Sequence, residues 1–193
     1  LALTVNSGSA ELTVVDGSHS INVGLTFASS TAITIGASDS LTLGGTLTGA
    51  TALTMTGGNS SSTLTLSANN SLTLSGAITV SSGKLAATAS GALGSGGVGL
   101  SGGTLSISGA DQTYNQTFTV SSGSTIDVAD GKTFTLGNAA NDLTGAGLLT
   151  KTGGGALSLG FANDHSGGFV ISDGTLLSTA ANAIGTGNLT LSG

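Results

Sequence analysis

The chain has no cysteine, no proline, no tryptophan and no arginine; only three lysines and one tyrosine occur in its 193 residues. Without cysteine there is neither a disulfide framework nor a thiolate metal site. Without proline, and with glycines that keep no period of three, a collagen-like helix is excluded. Only 6% of residues are charged, whereas an exposed helix needs Glu, Lys, Gln or Arg on its wet face. Three lysines against nine acidic residues leave no basic patch, which argues against nucleic acid as a partner. No run of 18 apolar residues exists, so no helical membrane insertion by this segment is expected.

What is present is 34 glycines among abundant Ser and Thr, with 38% hydrophobic residues and a net charge of −6. Disordered chains combine low hydrophobicity with high charge; this chain does the opposite. Its apolar residues arrive in apolar–polar–apolar triplets followed by Gly, Ser or Asn. Examples are Leu12-Thr13-Val14, Ile21-Asn22-Val23, Ile33-Thr34-Ile35, Leu41-Thr42-Leu43, Leu64-Thr65-Leu66 and Leu72-Thr73-Leu74. The pattern continues through Ile78-Thr79-Val80, Leu105-Ser106-Ile107, Phe118-Thr119-Val120, Ile126-Asp127-Val128 and Phe134-Thr135-Leu136. Alternation of period two predicts short strands with the apolar pair inside and the polar residue outside.

Longer repeats decide between a sandwich and a stacked array. Residues 33–49 align without gaps on 64–80, at an offset of 31. Residues 80–102 align without gaps on 171–193, at an offset of 91, and eleven of those 23 pairs are identical. Self-similarity on this scale signals a solenoid. A single coil cannot close a core, but stacking at ~4.8 Å pairs each strand with its equivalents above and below. Neither offset need be a whole number of coils. The predicted fold is all-β: a single-stranded, right-handed parallel β-helix of about seven to nine coils, each of roughly 20–30 residues. Leu72, Leu74, Leu105, Ile107, Phe118, Val120, Phe134, Leu136, Leu157 and Ile171 are expected inward, and Thr73, Ser106, Thr119 and Thr135 outward.

Residues 145–176 resemble the autotransporter-associated β-strand repeat. Gly145, Gly147, Leu149, Lys151, Gly153, Gly155, Leu157 and Leu159 fit its first part. Asn163 falls in its polar turn, and Gly167, Gly168, Ile171, Gly174 and Leu176 complete it. Residues 180–191 and 89–100 also resemble passenger sequences. The resemblance implies a bacterial passenger exported through a C-terminal β-barrel that this chain does not contain, since 3% aromatics cannot supply that barrel's girdles. It further implies a location at the bacterial cell surface, attached to the outer membrane, or secreted. One continuous β-helix segment over 1–193 is expected, with Thr/Ser-rich coils at 1–76 and repeat-like coils at 77–193.

Catalysis needs convergent acids, bases or electrophiles, and β-helix polysaccharide lyases and hydrolases rely on Asp clusters with Arg or Lys. This chain has no Asp-Asp or Asp-x-Asp pair and no serine-hydrolase motif. No catalytic, cofactor-binding or metal-ligating residue is assigned, no cofactor is expected, and the chain is read as not an enzyme. Asn163-Asp164-His165, the densest polar cluster, reads as a solvated turn. Asp16-Gly17, Asp130-Gly131 and Asp173-Gly174 read as turns rather than calcium ligands, and His19 reads as a turn residue. The leading expectation is a non-catalytic structural stalk or adhesive segment. Its partners would be host, matrix or neighbouring-cell surfaces, with end-to-end contact to further β-helix coils. The alternatives are an ice- or surface-binding solenoid using outward Thr ranks, which would need Thr at constant coil spacing, and below it a carbohydrate-active enzyme. The chain reads as a piece of a longer solenoid, with open β edges at Leu1 and Gly193.

Overall fold

The computed structural model describes residues 2–3, 9–137, 139–140 and 142–192. Leu1 and Gly193, where open edges were expected, lie outside the described residues. Among those described there are only strands, turns and bends, and every strand pairing is parallel. The chain is a β-solenoid of about nine coils, each 20 to 25 residues long: Ile78 pairs with Val98 in one coil step and Phe118 with Leu143 in another.

Three faces wind around the axis. The first is a seven-stranded sheet from Ala10–Val14 to Leu143–Thr144, and the second a nine-stranded sheet from Ser18–Ile21 to Leu189–Leu191. The third face is a three-stranded sheet in the early coils and a four-stranded sheet, from Gln112–Tyr114 to Thr175–Ser178, in the later ones. Between them the third face is occupied by turns at 71–73 and 90–93.

Stacking converts the triplets into columns. On the second face Leu41, Leu64, Leu85, Leu105, Ile126, Lys151 and Ile171 lie in register, one per coil, and all are buried. On the first face Ile33, Met55, Val80, Leu100 and Val120 do the same. Each fully buried aliphatic contributes roughly 1.5–3 kcal/mol. Tyr114, Phe118 and Phe134 form an aromatic cluster, with ring centroids 5.5–6.1 Å apart and tilted or edge-on packing.

The repeat and the coil are out of phase by one face. Ile33 pairs with Met55 on the first face, but its sequence equivalent, Leu64, sits on the second. Likewise Val80 closes a first-face strand and Ile171 a second-face strand, while Lys84–Ala87 is on the second face and Thr175–Ser178 on the third. Both long repeats therefore advance by whole coils plus one face. The step is permitted because all three faces offer the same inward slot to an aliphatic side chain.

Most inward expectations hold: Leu74, Leu105, Ile107, Phe118, Val120, Phe134, Leu136, Leu157 and Ile171 are buried and Thr119 is exposed. Four do not. Leu72 is 97% exposed, because Leu72-Thr73-Leu74 forms a turn closed by Thr73 and Leu74 N–H donation to Asn70 O instead of a strand. Val23 is exposed for a similar reason: the strand is Ser18–Ile21, one step earlier than the Ile21-Asn22-Val23 triplet suggests. His19 consequently lies in a strand and not in a turn, with its Nε2 2.9 Å from Asp16 O. Ser106 is buried although on the outward column, since its hydroxyl donates to Asp127 Oδ2 at 2.9 Å in the next coil.

Candidate functional site

Polar groups inside a solenoid are the natural place to look for chemistry, because a buried polar group must be bonded or must do something. The interior holds Asn70, Gln112, Lys151, Asn163 and His165, with Ser62 and Asp142 also buried. Asn163 and His165 correct the expectation of a solvated turn; only Asp164 between them is exposed. A turn that replaces a strand leaves backbone groups inside without ladder partners, and an inward amide supplies them.

The two asparagines show how. Asn163 Oδ1 accepts from Leu143 N at 2.8 Å in the preceding coil, and its Nδ2 donates to Ala183 O at 2.7 Å in the following one. Asn70 repeats the arrangement, accepting from Leu47 N at 2.8 Å and donating to Ala92 O at 2.7 Å. Each amide thus staples three coils. His165 packs edge-on against Phe169 at 5.2 Å, with Nε2 3.2 Å from Gly168 O and Nδ1 3.4 Å from Thr144 O. Tyr114 donates its hydroxyl to Gln112 Oε1 and accepts from Leu93 N at 3.1 Å, while Gln112 Nε2 donates to Ala87 O at 2.7 Å. Burial pushes the Tyr114 phenol up to about 12, against a smaller opposing effect of the backbone amides of Leu93 and Ala92.

Lys151 is the unexpected residue. It stands in the aliphatic column between Ile126 and Ile171 and is fully buried. Its ammonium donates to Thr152 O at 2.8 Å, Gly153 O at 2.6 Å and Asp173 O at 3.2 Å, one coil further on. Desolvation holds its pKa below the ordinary lysine value, and Asp173 and Asp127 work against that shift. Gly153 and Gly174 both have positive φ, 72° and 74°. A Cβ on Gly174 would stand 2.3 Å from Gly153 O and 2.8 Å from Lys151 Nζ. The Lys-x-Gly and Asp-Gly elements of the sequence are therefore two halves of one corner, where an ammonium neutralises carbonyls that the tight turn points inward.

None of these groups converges on an open cleft. Among the described residues no three of His, Cys, Asp or Glu come together as metal ligands, and every buried side-chain polar atom has a partner. The Asp-Gly pairs lie in bends or turns with positive-φ glycine, as expected. An apolar groove lies on the last described coil, against Ile171, Leu176, Ile184, Leu189 and Leu191. The register does align outward threonines that irregular spacing hides in the sequence: Thr54, Thr79, Thr119 and Thr144 share a first-face rank with Ala32 and Gly99. A comparable rank on the second face carries Thr63, Thr104, Thr125 and Thr150 but also Lys84. Threonine covers more than one face, as β-propensity on a wet surface requires.

The family model of the passenger-associated transport repeat matches residues 60–87 and 149–177. Two stretches of the chain therefore match this repeat. In the second copy the match begins at the strand of Lys151 and takes in Asn163, His165 and Gly174; in the first it takes in Ser62, Asn70 and Gly83. The recurring interior asparagine and positive-φ glycine are thus features of the repeat. The copies differ in phase, the first placing its asparagine turn on the third face and the second on the first. The first copy has no buried lysine, its Lys84 lying half-buried on the outward rank: buried Ser62 fills a corner there, donating to Gly36 O at 2.7 Å. The probable autotransporter YfaL of Escherichia coli (strain K12) is 41% identical over 66 residues, which is 31% of this chain and 5% of that protein. The chain thus spans about a twentieth of that relative's length. No solved structure matches.

Proposed function

We propose that this chain is a non-catalytic structural segment of an autotransporter passenger, displayed at the bacterial surface or secreted, whose work is to extend the passenger and present neighbouring binding regions. The observation that supports it best is the unbroken second-face ladder: nine parallel strands make a continuous core whose buried side-chain polar atoms all have hydrogen-bond partners among the described residues, several of them in adjacent coils. Only 6% of residues are charged, which suits a spacer or a broad, weakly adhesive wall. Further β-solenoid coils are the partner with the best fit, since parallel stacking in constant register adds coil upon coil.

Deleting residues 78–97, one coil by the observed register, from the full passenger tests the reading. Surface display and the binding carried elsewhere should persist on a shortened molecule. Loss of product release from a polysaccharide panel after that deletion would overturn it. The aligned threonines favour one other reading, binding to an ordered surface such as ice. A thermal-hysteresis activity that disappears when Thr79 and Thr119 are replaced by lysine would establish that reading instead.

A further inference from the structure

The chain has three Asp-Gly pairs, and only one has its carboxylate against its own following amide. Gly174 N donates to Asp173 Oδ1 at 2.7 Å. Gly17 N donates instead to Asp39 Oδ1 at 2.7 Å, from the neighbouring coil. Asp130 Oδ1 accepts from Gly154 N at 3.0 Å, also one coil on. Asp173 is exposed, and Gly174 lacks the Cβ that would shield its nitrogen.

A second feature acts on the same peptide bond. The main-chain oxygen of Asp173 accepts from the Lys151 ammonium at 3.2 Å. When an amide nitrogen loses its proton, the negative charge resides largely on the carbonyl oxygen of that amide. A preorganised cation at that oxygen stabilises the charge as it forms.

We infer that Asp173-Gly174 is a self-modification site, at which Lys151 promotes cyclisation to a succinimide and hence conversion of Asp173 to a β-linked isoaspartate. Gly174 N bonds to Asp173 Cγ, and one carboxyl oxygen leaves as water. Water then adds at the Asp173 main-chain carbonyl carbon, the bond from that carbon to Gly174 N breaks, and the chain runs through Cγ. Water is the only co-reactant. The product carries an extra methylene in the main chain at a corner with no slack, where even a Cβ on Gly174 would meet Gly155 O at 2.4 Å. The corner and the stacking of Thr175–Ser178 on Ala156–Leu159 loosen as a result. The modification is thus a slow chemical clock placed inside the second repeat.

The test is to hold the folded chain at neutral pH and body temperature, digest it, and fragment the peptides so that α- and β-linked aspartate are distinguished. Asp173 should convert ahead of Asp16 and Asp130 in the folded chain, and the three rates should converge in denaturant. Lys151→Met should slow conversion at Asp173 by about tenfold, equivalent to some 1.4 kcal/mol of barrier, and leave Asp130 unchanged. If that variant does not fold, the wild-type ratio of Asp173 to Asp130 conversion is followed as pH is raised, and it should fall as the ammonium is lost. Conversion at Asp173 no faster than at the other two pairs in the folded chain overturns the site. An unchanged rate in folded Lys151→Met, or a ratio indifferent to pH, overturns the part given to Lys151.

Discussion

Replacing Lys151 with methionine keeps an unbranched apolar stem in the column between Ile126 and Ile171 and removes only the ammonium. Three charge-assisted hydrogen bonds disappear, to Thr152 O, Gly153 O and Asp173 O, each worth about 1.5–3 kcal/mol net. Against that loss stands relief of the ammonium's desolvation, several kcal/mol in a dry interior. The two largely cancel, and the orphaned carbonyls tip the balance: a net destabilisation of about 1–3 kcal/mol is expected at neutral pH. The pH dependence separates this account from simple packing. The folded-state pKa of Lys151 is lowered by burial, so between that value and the ordinary 10.5 the unfolded chain binds a proton that the folded chain does not. Stability therefore rises with pH through that window. The amine left there still donates, so the advantage of wild type over Lys151→Met should be constant below the folded pKa and grow as pH climbs toward 10.5. Urea unfolding of both proteins at stepped pH measures it, and taking the difference cancels the other titrations they share. A difference that is flat or shrinks across the window would refute the buried-ammonium account.

Tyr114, the sole tyrosine, gives an independent readout: its phenolate absorbance should appear only near pH 12 in the folded chain and near 10 in denaturant. Because that pKa is raised, its contribution to stability is complete below pH 10 and is lost as pH rises through 12. Leu105→Ala should cost about 2–5 kcal/mol by opening a cavity in the central column, measured by the shift in denaturation midpoint. Gly174→Ala should destabilise by more than the ~1 kcal/mol typical of a point mutation, because it combines a positive φ with a Cβ at 2.3 Å from Gly153 O. Leu72→Ser, by contrast, should leave the midpoint unmoved, since the side chain is already in water; a loss as large as that of Leu105→Ala would mean the turn at 71–73 is misplaced.

Composition and short-range order were enough to determine the fold class. Gapless self-similarity excludes a sandwich, alternation in Leu-Thr-Leu triplets sets the inward pair, and the absence of proline leaves every strand free to donate to both neighbours. The passenger resemblance was legible for the same reason, since its glycines and the Lys-x-Gly element are local in sequence. What the sequence could not convey is which neighbour each residue would meet. Leu64-Thr65-Leu66 and Leu72-Thr73-Leu74 are the same three letters, yet the first is a core strand and the second a turn with Leu72 in water; the choice is made by Asn70, whose amide is bonded to coils 23 residues before and 22 after it. Asn163 and His165 look like solvent-facing turn residues because polarity is read one residue at a time, whereas their burial depends on backbone groups freed in adjacent coils. Lys151 reads as one letter of a motif, and its meaning, a cation closing a corner with Asp173 and Gly174, exists only once a coil has brought residues 22 apart within hydrogen-bonding reach. Local periodicity is a property of the chain and survives in the sequence. Register between coils is a sum of many weak contacts over the whole stack, so only the tertiary structure decides it.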